Sequence, residues 1–409
     1  MAGAGSGRQR AAADLAKPRG QDLTPYTPLV GLRLSLYYAS VFAVVGVLLP
    51  FWPLWLAARG LGPGEIGAVL SAPLWVKVIS NPLIAQAVDR RGERRRPMIV
   101  LSLGALAAYA LFALAQGFLQ LLAVSVLAGL FFAALNPLGE NLTLLTAQAR
   151  GLDYGRIRLW GSLAFIAASA GAGRLLAGRS GELVLGLVVA GLAIVLLACI
   201  ALPDTRTARA VRPSAPLRRL LGQRTFLLFL AAASLIQASH AVYYGFATLH
   251  WRGLGLGPAT IGWLWAEGVE AEIVLFACSG AVVRKLGPAR LLVLAGLAGL
   301  VRWSATGLTE SLALLILLQA LHGFTFGAAH LGAMHFIARA VPPEMSASAQ
   351  SLYSALGMGV VFGLAMLASG ALYASLAGAA FHFMAAMAGL GAVLALILAR
   401  RWPGDTLAA

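Results

Sequence analysis

The stretch Leu61-Gly62-Pro63-Gly64-Glu65-Ile66-Gly67 returns 195 residues later as Leu256-Gly257-Pro258-Ala259-Thr260-Ile261-Gly262, and each copy opens a long apolar run. The same offset carries Arg90 onto Lys285, Gly92 onto Gly287 and, inside the apolar runs, Lys77 onto Glu272. The chain therefore reads as two related halves that bury opposite charges at equivalent positions.

Composition sets the solvent of those halves. With 60% apolar residues, 11% charged residues and 47 glycines in 409, the chain fits a polytopic membrane protein rather than a soluble domain with one core. Apolar runs of about 20 residues, the length a bilayer demands of a helix, recur near 32–57, 64–88, 98–116, 120–147, 157–177, 182–202, 225–249, 259–283, 291–308, 311–338, 345–373 and 378–400. The expectation is an all-α membrane protein with twelve transmembrane helices in two pseudo-symmetric six-helix bundles. Repeated membrane halves with ionisable groups near the midplane are the ground plan of secondary transporters.

The formal charge of +16 would suggest nucleic acid in a soluble protein. Its distribution argues otherwise: with a cytoplasmic N-terminus, 24 of the 31 Lys and Arg residues fall in cytoplasmic segments and about four outside. Both termini are then cytoplasmic in a bacterial inner membrane, and the basic excess faces anionic lipid headgroups rather than nucleic acid. Residues 1–28, rich in Ala, Gly, Arg and Pro, read as a disordered tail. Residues 29–202 form the first bundle, 225–401 the second, and 402–409 a short tail. The linker 203–224 between the bundles carries three prolines and six arginines. The first apolar run is too long for a signal-peptide core and is followed at once by a second, so it reads as a retained helix. Cys199 and Cys278 lie in different predicted helices and suggest neither a disulfide nor a metal site.

Asp89-Arg90-Arg91-Gly92-Glu93-Arg94-Arg95-Arg96 occupies the turn after the second helix. It resembles the cytoplasmic signature of the major facilitator superfamily, in which an acidic residue, a turn glycine and flanking arginines form an inter-helix charge lock while the protein faces outward. By that resemblance Asp89, Arg90, Gly92, Arg94 and Arg95 form a gating motif. Ala85 replaces the usual first glycine, and Arg284 stands at the aspartate position of the second half. A narrower resemblance, to the 3-phenylpropionic acid transporter family, is carried by Gly46 to Leu56, Leu152 to Ser162, His240-Ala241-Val242-Tyr243-Tyr244-Gly245-Phe246, Arg302-Trp303, Leu321-His322 and His330-Leu331. That family lies near the lactose permease type of proton symporter. The resemblance implies uptake of a small organic solute by alternating access, with an aromatic carboxylate such as 3-phenylpropionate as cargo, no cofactor beyond the proton gradient, and a monomeric protein. Glu267 and Glu270 have no counterpart in the family pattern.

Depth follows from helix rise. Lys77, Glu272 and Arg302 each lie 12 residues from a terminal-side charge (Asp89, Arg284, Arg290), so at about 1.5 Å per residue they share a layer about 18 Å deep. Glu140 and His330 lie about 14 to 15 Å in by the same count. Charge at that depth is costly and should face a cavity or a partner. An ion pair between Glu272 and Arg302 that opens on protonation is one reading; a permanent charge-cancelling pair is the other. Lys77 either holds a substrate carboxylate or neutralises Glu140. His322 and His330, eight residues apart and so about 80° around one helix, are candidates for proton relay with Glu272 and Arg302. A histidine that merely packs is the ordinary alternative. His335 is turned about 140° from His330, which is not helical metal-ligand spacing.

Trp52, Trp55, Trp251 and Trp263 fall near outer helix ends, where interfacial anchoring is the default. Tyr37, Tyr38, His240, Tyr243 and Tyr244, on the first and seventh helices, are candidate solute contacts together with Lys77, Glu140, Glu267 and Glu270. A nucleoside or oligosaccharide symporter, then proton-driven drug efflux, are the rival readings. A membrane enzyme is opposed by the lack of a His box, nucleophile motif or metal spacing, and a scaffold leaves the buried charges unexplained.

Overall fold

The computed structural model describes residues 27–205, 217–342 and 345–407. Residues 1–26 of the expected tail, 206–216 of the linker and 408–409 lie outside the described residues. The described chain is helical, in the order α1 (Thr27–Ala58), α2 (Pro63–Arg91), α3 (Arg95–Leu111), α4 (Gly117–Phe132 and Leu135–Arg150), α5 (Tyr154–Leu176) and α6 (Leu183–Ala201). A short helix, Leu217–Gly222, leads into α7 (Arg224–Ala238 and Ala241–Gly253) and α8 (Pro258–Ala277). The stretch Ser279–Leu308 is divided at Gly287 (φ 71°), so 279–286 prolong α8 and 288–308 form α9. Then follow α10 (Leu312–Ala340, with a π-helical turn over Gly323–Ala328), α11 (Ser346–Leu376, π-helical over Tyr353–Val361) and α12 (Ala380–Arg401).

Nine stretches among the described residues are long and apolar enough to cross a membrane. The remaining spans escape that criterion for physical reasons. The 17-residue α3 is short, α8 carries Glu267, Glu270 and Glu272, and Ser346–Arg401 contains both α11 and α12, folded back at Ala377 (φ 48°). Counting them gives twelve spans, six per bundle. The outer belt exposes side chains such as Leu114, Leu119, Leu308 and Leu317, which suit hydrocarbon and would be costly against water.

The internal repeat is written into the backbone. Gly60 and Gly255 turn with φ of 85° and 84°, Gly62 and Gly257 cap α2 and α8 with φ of −72° in both, and Gly92 and Gly287 have φ of 69° and 71°. Gly62 and Gly257 also agree in ψ, 163° and 157°, whereas Gly92 and Gly287 diverge, 6° against 167°, where Arg284 has replaced the aspartate. Positive φ is accessible to glycine at little cost, so these turns needed glycine in both halves.

The breaks in α4 and α7 have identifiable causes. Pro137 has no N–H for the carbonyl of Ala133, where α4 divides. In α7, His240 Nδ1 donates to the carbonyls of Ile236 and Gln237 at 3.2 and 3.1 Å, and Ser239 Oγ donates to that of Ile236, so side chains occupy the helical ladder.

The bundles meet along α2 with α11 and α5 with α8. At the face away from the chain termini this seam is closed by backbone approach. A Cβ added at Gly173 would lie 2.4 Å from the Pro258 carbonyl oxygen, one at Gly262 2.4 Å from that of Ser169, and one at Gly67 2.9 Å from Gly370 Cα. Ser169 Oγ donates to the Gly262 carbonyl across the seam at 2.9 Å. Toward the face that carries the termini, the halves of α2 and α11 separate around a cavity. The protein is therefore sealed at the far face and open at the terminal face.

The anchoring expectation fails for three tryptophans. Trp52, Trp55 and Trp251 are buried, and only Trp263 of the four is exposed, at 46%. Trp52 stacks on Trp55 at 4.6 Å and meets Phe112 edge-on, while Trp55 Nε1 donates to Glu182 at 3.1 Å. The indole N–H of Trp55 and the apolar surface of all three are used inside the fold, so a tryptophan near a helix end need not face the interface.

Candidate functional site

The buried charges of the second bundle assemble around Arg302, which is fully buried. Its Nη1 donates to His322 Nδ1 at 2.7 Å and Thr325 Oγ1 at 3.1 Å, and its Nη2 to Gln319 Oε1 at 2.8 Å. Tyr243 and Trp303 lie against the guanidinium plane at 4.6 and 4.5 Å. The direct Glu272–Arg302 ion pair expected from matched depth does not form. His322 sits between them, its Nε2 2.9 Å from Glu272 Oε1. Two glycines make this possible. A Cβ at Gly323 would fall 2.6 Å from the Ala271 carbonyl oxygen, and one at Gly268 3.3 Å from the His322 ring, so α10 and α8 touch where His322 must reach Glu272.

Geometry fixes the histidine's tautomer. Arginine only donates, so Nδ1 of His322 must accept; the ring then carries its hydrogen on Nε2 and donates it to the Glu272 carboxylate. His322 is neutral in this arrangement, and a second proton on Nδ1 would oppose the Arg302 donor. A proton arriving here has Glu272 as its acceptor while the chain of contacts is intact.

Across the seam the first bundle offers a different set. Glu140 accepts a hydrogen bond from Tyr154 Oη. Arg158, which no charge or depth pattern in the sequence singles out, is half-buried with its guanidinium over Phe42 at 4.2 Å and Tyr38 at 5.5 Å. It forms no ion pair or hydrogen bond among the described residues. Arg158 lies close enough to act electrostatically on Glu272 and His330, and Glu140 acts on His330. His330 is exposed and stacks near Phe326 and Phe276.

The aromatic candidates divide. Tyr37 donates to the Leu135 carbonyl at 2.7 Å and Tyr243 to Gln319 Oε1 at 2.9 Å, and both are buried at 1% exposure. Tyr38 and His240 are equally buried; His240 Nε2 lies 3.2 Å from Thr325 Oγ1 and so supports the Arg302 cluster. Tyr244 remains partly open and stacks with Trp265 and Phe362. Glu267 is half-buried with no direct partner, and the charges acting on it are Glu270 and Arg302. Glu270 shares the exposed stripe of Trp263 and Val274 and points away from His322, which removes it from the cleft.

Lys77 does not reach Glu140. It is half-buried in a cavity of about 290 Å³ between α2, α4 and α11, beside Asn81, Asn141, Ser351 and Ser354. At the mouth of that cavity Asp89 pairs with Arg94 at 3.3 Å, and Arg94 Nε donates to Asn141. Gly92 N–H returns to the Val88 carbonyl at 2.9 Å, Arg95 donates to the Ile200 carbonyl, and Arg90 is exposed. Asp89 thus contacts its own turn rather than α11 while the terminal face is open.

Residues 31–385 match the model of the MFS_1-like family. The chain belongs to that family. This MFS-type transporter is 34% identical over 362 residues to the "Probable 3-phenylpropionic acid transporter" of Escherichia coli (strain K12), covering 87% of this chain and 94% of that protein. It is 30% identical over 381 residues to the "Maltose permease" of Geobacillus stearothermophilus, covering 90% and 94%. The fold is that of the nucleoside transporter NupG, with TM-score 0.74 at 19% identity over 91% of this chain and 99% of that one. The MFS-type chain is a multi-pass membrane transporter of a small molecule and not an enzyme.

Proposed function

We propose that the chain is a proton-coupled symporter that imports a small organic acid bearing an aromatic ring by alternating access. The observation that carries this reading is His322, held neutral by the Arg302 donor and aimed at Glu272, so that a carboxylate takes the proton. The unpaired Arg158 guanidinium, level with that carboxylate's field, receives the solute anion, and Tyr244 with Trp265 and Phe362 offers the ring a stacking surface. Similarity to the 3-phenylpropionic acid transporter of E. coli supports the aromatic acid. The basic terminal-face loops support a cytoplasmic location for that face and both termini in a bacterial inner membrane, where the protein works as a monomer among anionic headgroups.

Protonation and solute binding are linked through Arg158. While Glu272 is ionised, Arg158 is held in its field; once Glu272 takes a proton, Arg158 is released for the solute carboxylate. The linkage is reciprocal. A neutral polyhydroxyl solute is the second reading, favoured by the half-buried carboxylates Glu140 and Glu267 as hydroxyl acceptors and by similarity to a maltose permease. Proteoliposomes loaded at higher internal pH should accumulate 3-phenylpropionate and not its amide. A thermal-shift screen with aromatic acids, maltose and nucleosides ranks the solutes independently, because a ligand of the native state raises its apparent stability. Stabilisation by sugars or nucleosides alone would refute the acid.

A further inference from the structure

The cavity around Lys77 is separate from the Arg158 and Arg302 cluster. Lys77 makes no ion pair or hydrogen bond among the described residues, and the nearby acids are engaged elsewhere: Asp89, at the mouth of the cavity, with Arg94, Glu140 with Tyr154 and Glu272 with His322. An ammonium about 18 Å from the helix end without an anion is costly in the middle of a membrane. Four residues on and on the same face of α2, Asn81 lines the same cavity; its buried amide oxygen is an acceptor without a donor, so it is the Nδ2 hydrogens that can serve an anion. Asn141, Ser351 and Ser354 complete a polar wall drawn from both bundles, and the volume of about 290 Å³ lies at the lower end of small-molecule sites.

We propose that this cavity is a second anion subsite, in which Lys77 and the Asn81 and Asn141 amides hold a carboxylate after it leaves Arg158 and before it passes Asp89 and Arg94 at the terminal face. The subsite deepens the transport reading above and rests on its anionic solute. A carboxylate there takes charge-assisted hydrogen bonds from Nζ and an amide N–H. An anionic lipid headgroup offers the same chemistry, but the depth of Lys77 favours a solute that has come down the cleft.

The test counts bound ligand on the full-length protein in nanodiscs of zwitterionic lipid, by equilibrium dialysis with radiolabelled 3-phenylpropionate and with its neutral amide. Wild type should bind two carboxylates, Lys77→Gln one, and Lys77→Arg two, with the Gln variant's remaining affinity unchanged, which itself reports a folded protein. The second equivalent should weaken at least about tenfold, as expected for loss of a charged hydrogen bond. Two equivalents in Lys77→Gln would overturn the subsite. A single equivalent in wild type, lost in Arg158→Gln but not in Lys77→Gln, would overturn it and leave the transport reading standing. Binding of the amide but not the acid would overturn both. Loss of the second equivalent on adding phosphatidylglycerol would give the site to a lipid phosphate and overturn the solute assignment.

Discussion

Replacing Glu272 by Gln should uncouple transport from the proton gradient while leaving the fold nearly intact. Glu272 Oε1 accepts the His322 Nε2 hydrogen at 2.9 Å, and a glutamine offers a neutral amide oxygen at the same place. His322 keeps its tautomer, and Arg302 keeps His322, Thr325 and Gln319 as acceptors. What is lost is one negative charge. Hydrogen bonds to charged groups contribute about 1.5–3 kcal/mol against about 0.5–1.5 for neutral ones, so stability falls by on the order of 1 kcal/mol, small beside the about 5–15 of a typical domain. The functional loss is larger. A gradient of about one pH unit is worth about 1.4 kcal/mol per proton, so one proton per solute drives about tenfold accumulation in wild-type proteoliposomes. Glu272→Gln should give an internal to external ratio near unity with exchange of labelled for unlabelled solute preserved. A retained tenfold ratio would refute the assignment and move the proton to Glu140, Glu267 or His330.

Arg158→Gln should weaken binding of 3-phenylpropionate by at least about tenfold and flatten its pH dependence, because the cation that links Glu272 to the solute is gone; unchanged affinity measured by dialysis would place the carboxylate elsewhere. Gly262→Ala and Gly173→Ala should wedge the far-face seam, since each Cβ would sit 2.4 Å from a carbonyl oxygen where ordinary contact begins at 3.4 Å, a deficit of 1.0 Å by subtraction. Alkylation of an Ala58→Cys reporter beside that seam, in a background lacking Cys199 and Cys278, should rise, and an unchanged rate would show that the seam is not the gate. Asp89→Asn should slow transport in vesicles without weakening solute binding, and should hardly alter thermal stability because Asp89 is exposed and the buried Arg94 keeps its bond to Asn141; unaltered kinetics would remove the lock. Trp55→Ala should cost about 3–5 kcal/mol as a buried cavity, whereas a tryptophan serving only as an interfacial anchor would leave the unfolding temperature in detergent unchanged.

The repeat could be read from sequence because its punctuation is stereochemical. Gly60, Gly92, Gly255 and Gly287 all need positive φ, a requirement no other residue meets as easily. Depth was legible too, since helix rise is constant, and Glu272 and Arg302 do lie in adjoining layers. Azimuth was not. The π-helical turn at Gly323–Ala328 interrupts the α-helical count between His322 and His330, and the two end in different surroundings, His322 5% exposed and buried against Arg302, His330 open. Periodicity cannot reveal a bulge, so His322, a relay candidate by its position in the sequence, was not foreseen as the link between Glu272 and Arg302. Arg158 was missed for another reason. Its spacing behind Arg156 fits a positive-inside loop, and the Tyr38 and Phe42 rings that carry it come from α1, more than a hundred residues away in sequence. The tryptophans were misplaced because the same amphipathic indole serves an interface or a buried hydrogen bond, and the partner Glu182 lies across the bundle.

The equivalence of Lys77 and Glu272 under the repeat has a consequence for how the two bundles share the work. Each half places one ionisable group at the same depth, yet only the second half supplies a relay, Gln319, Thr325, Arg302 and His322, that neutralises its group within its own bundle. In the first half the cations Lys77 and Arg158 have no such partner among the described residues. A bundle that cancels its own charge can hold a proton without needing a solute, whereas a bundle with unpaired cations gains most when an anion enters. Because the Glu272 carboxylate lies in the field of Arg158 across the cleft, neither bundle reaches its lowest free energy alone. Protonation on one side makes the cation on the other available, and the solute that takes it removes the attraction that favoured the ionised carboxylate. In the proposed symport, coupling therefore follows from placing opposite charges at repeat-related positions and neutralising only one of them internally, with no requirement that proton and solute ever touch.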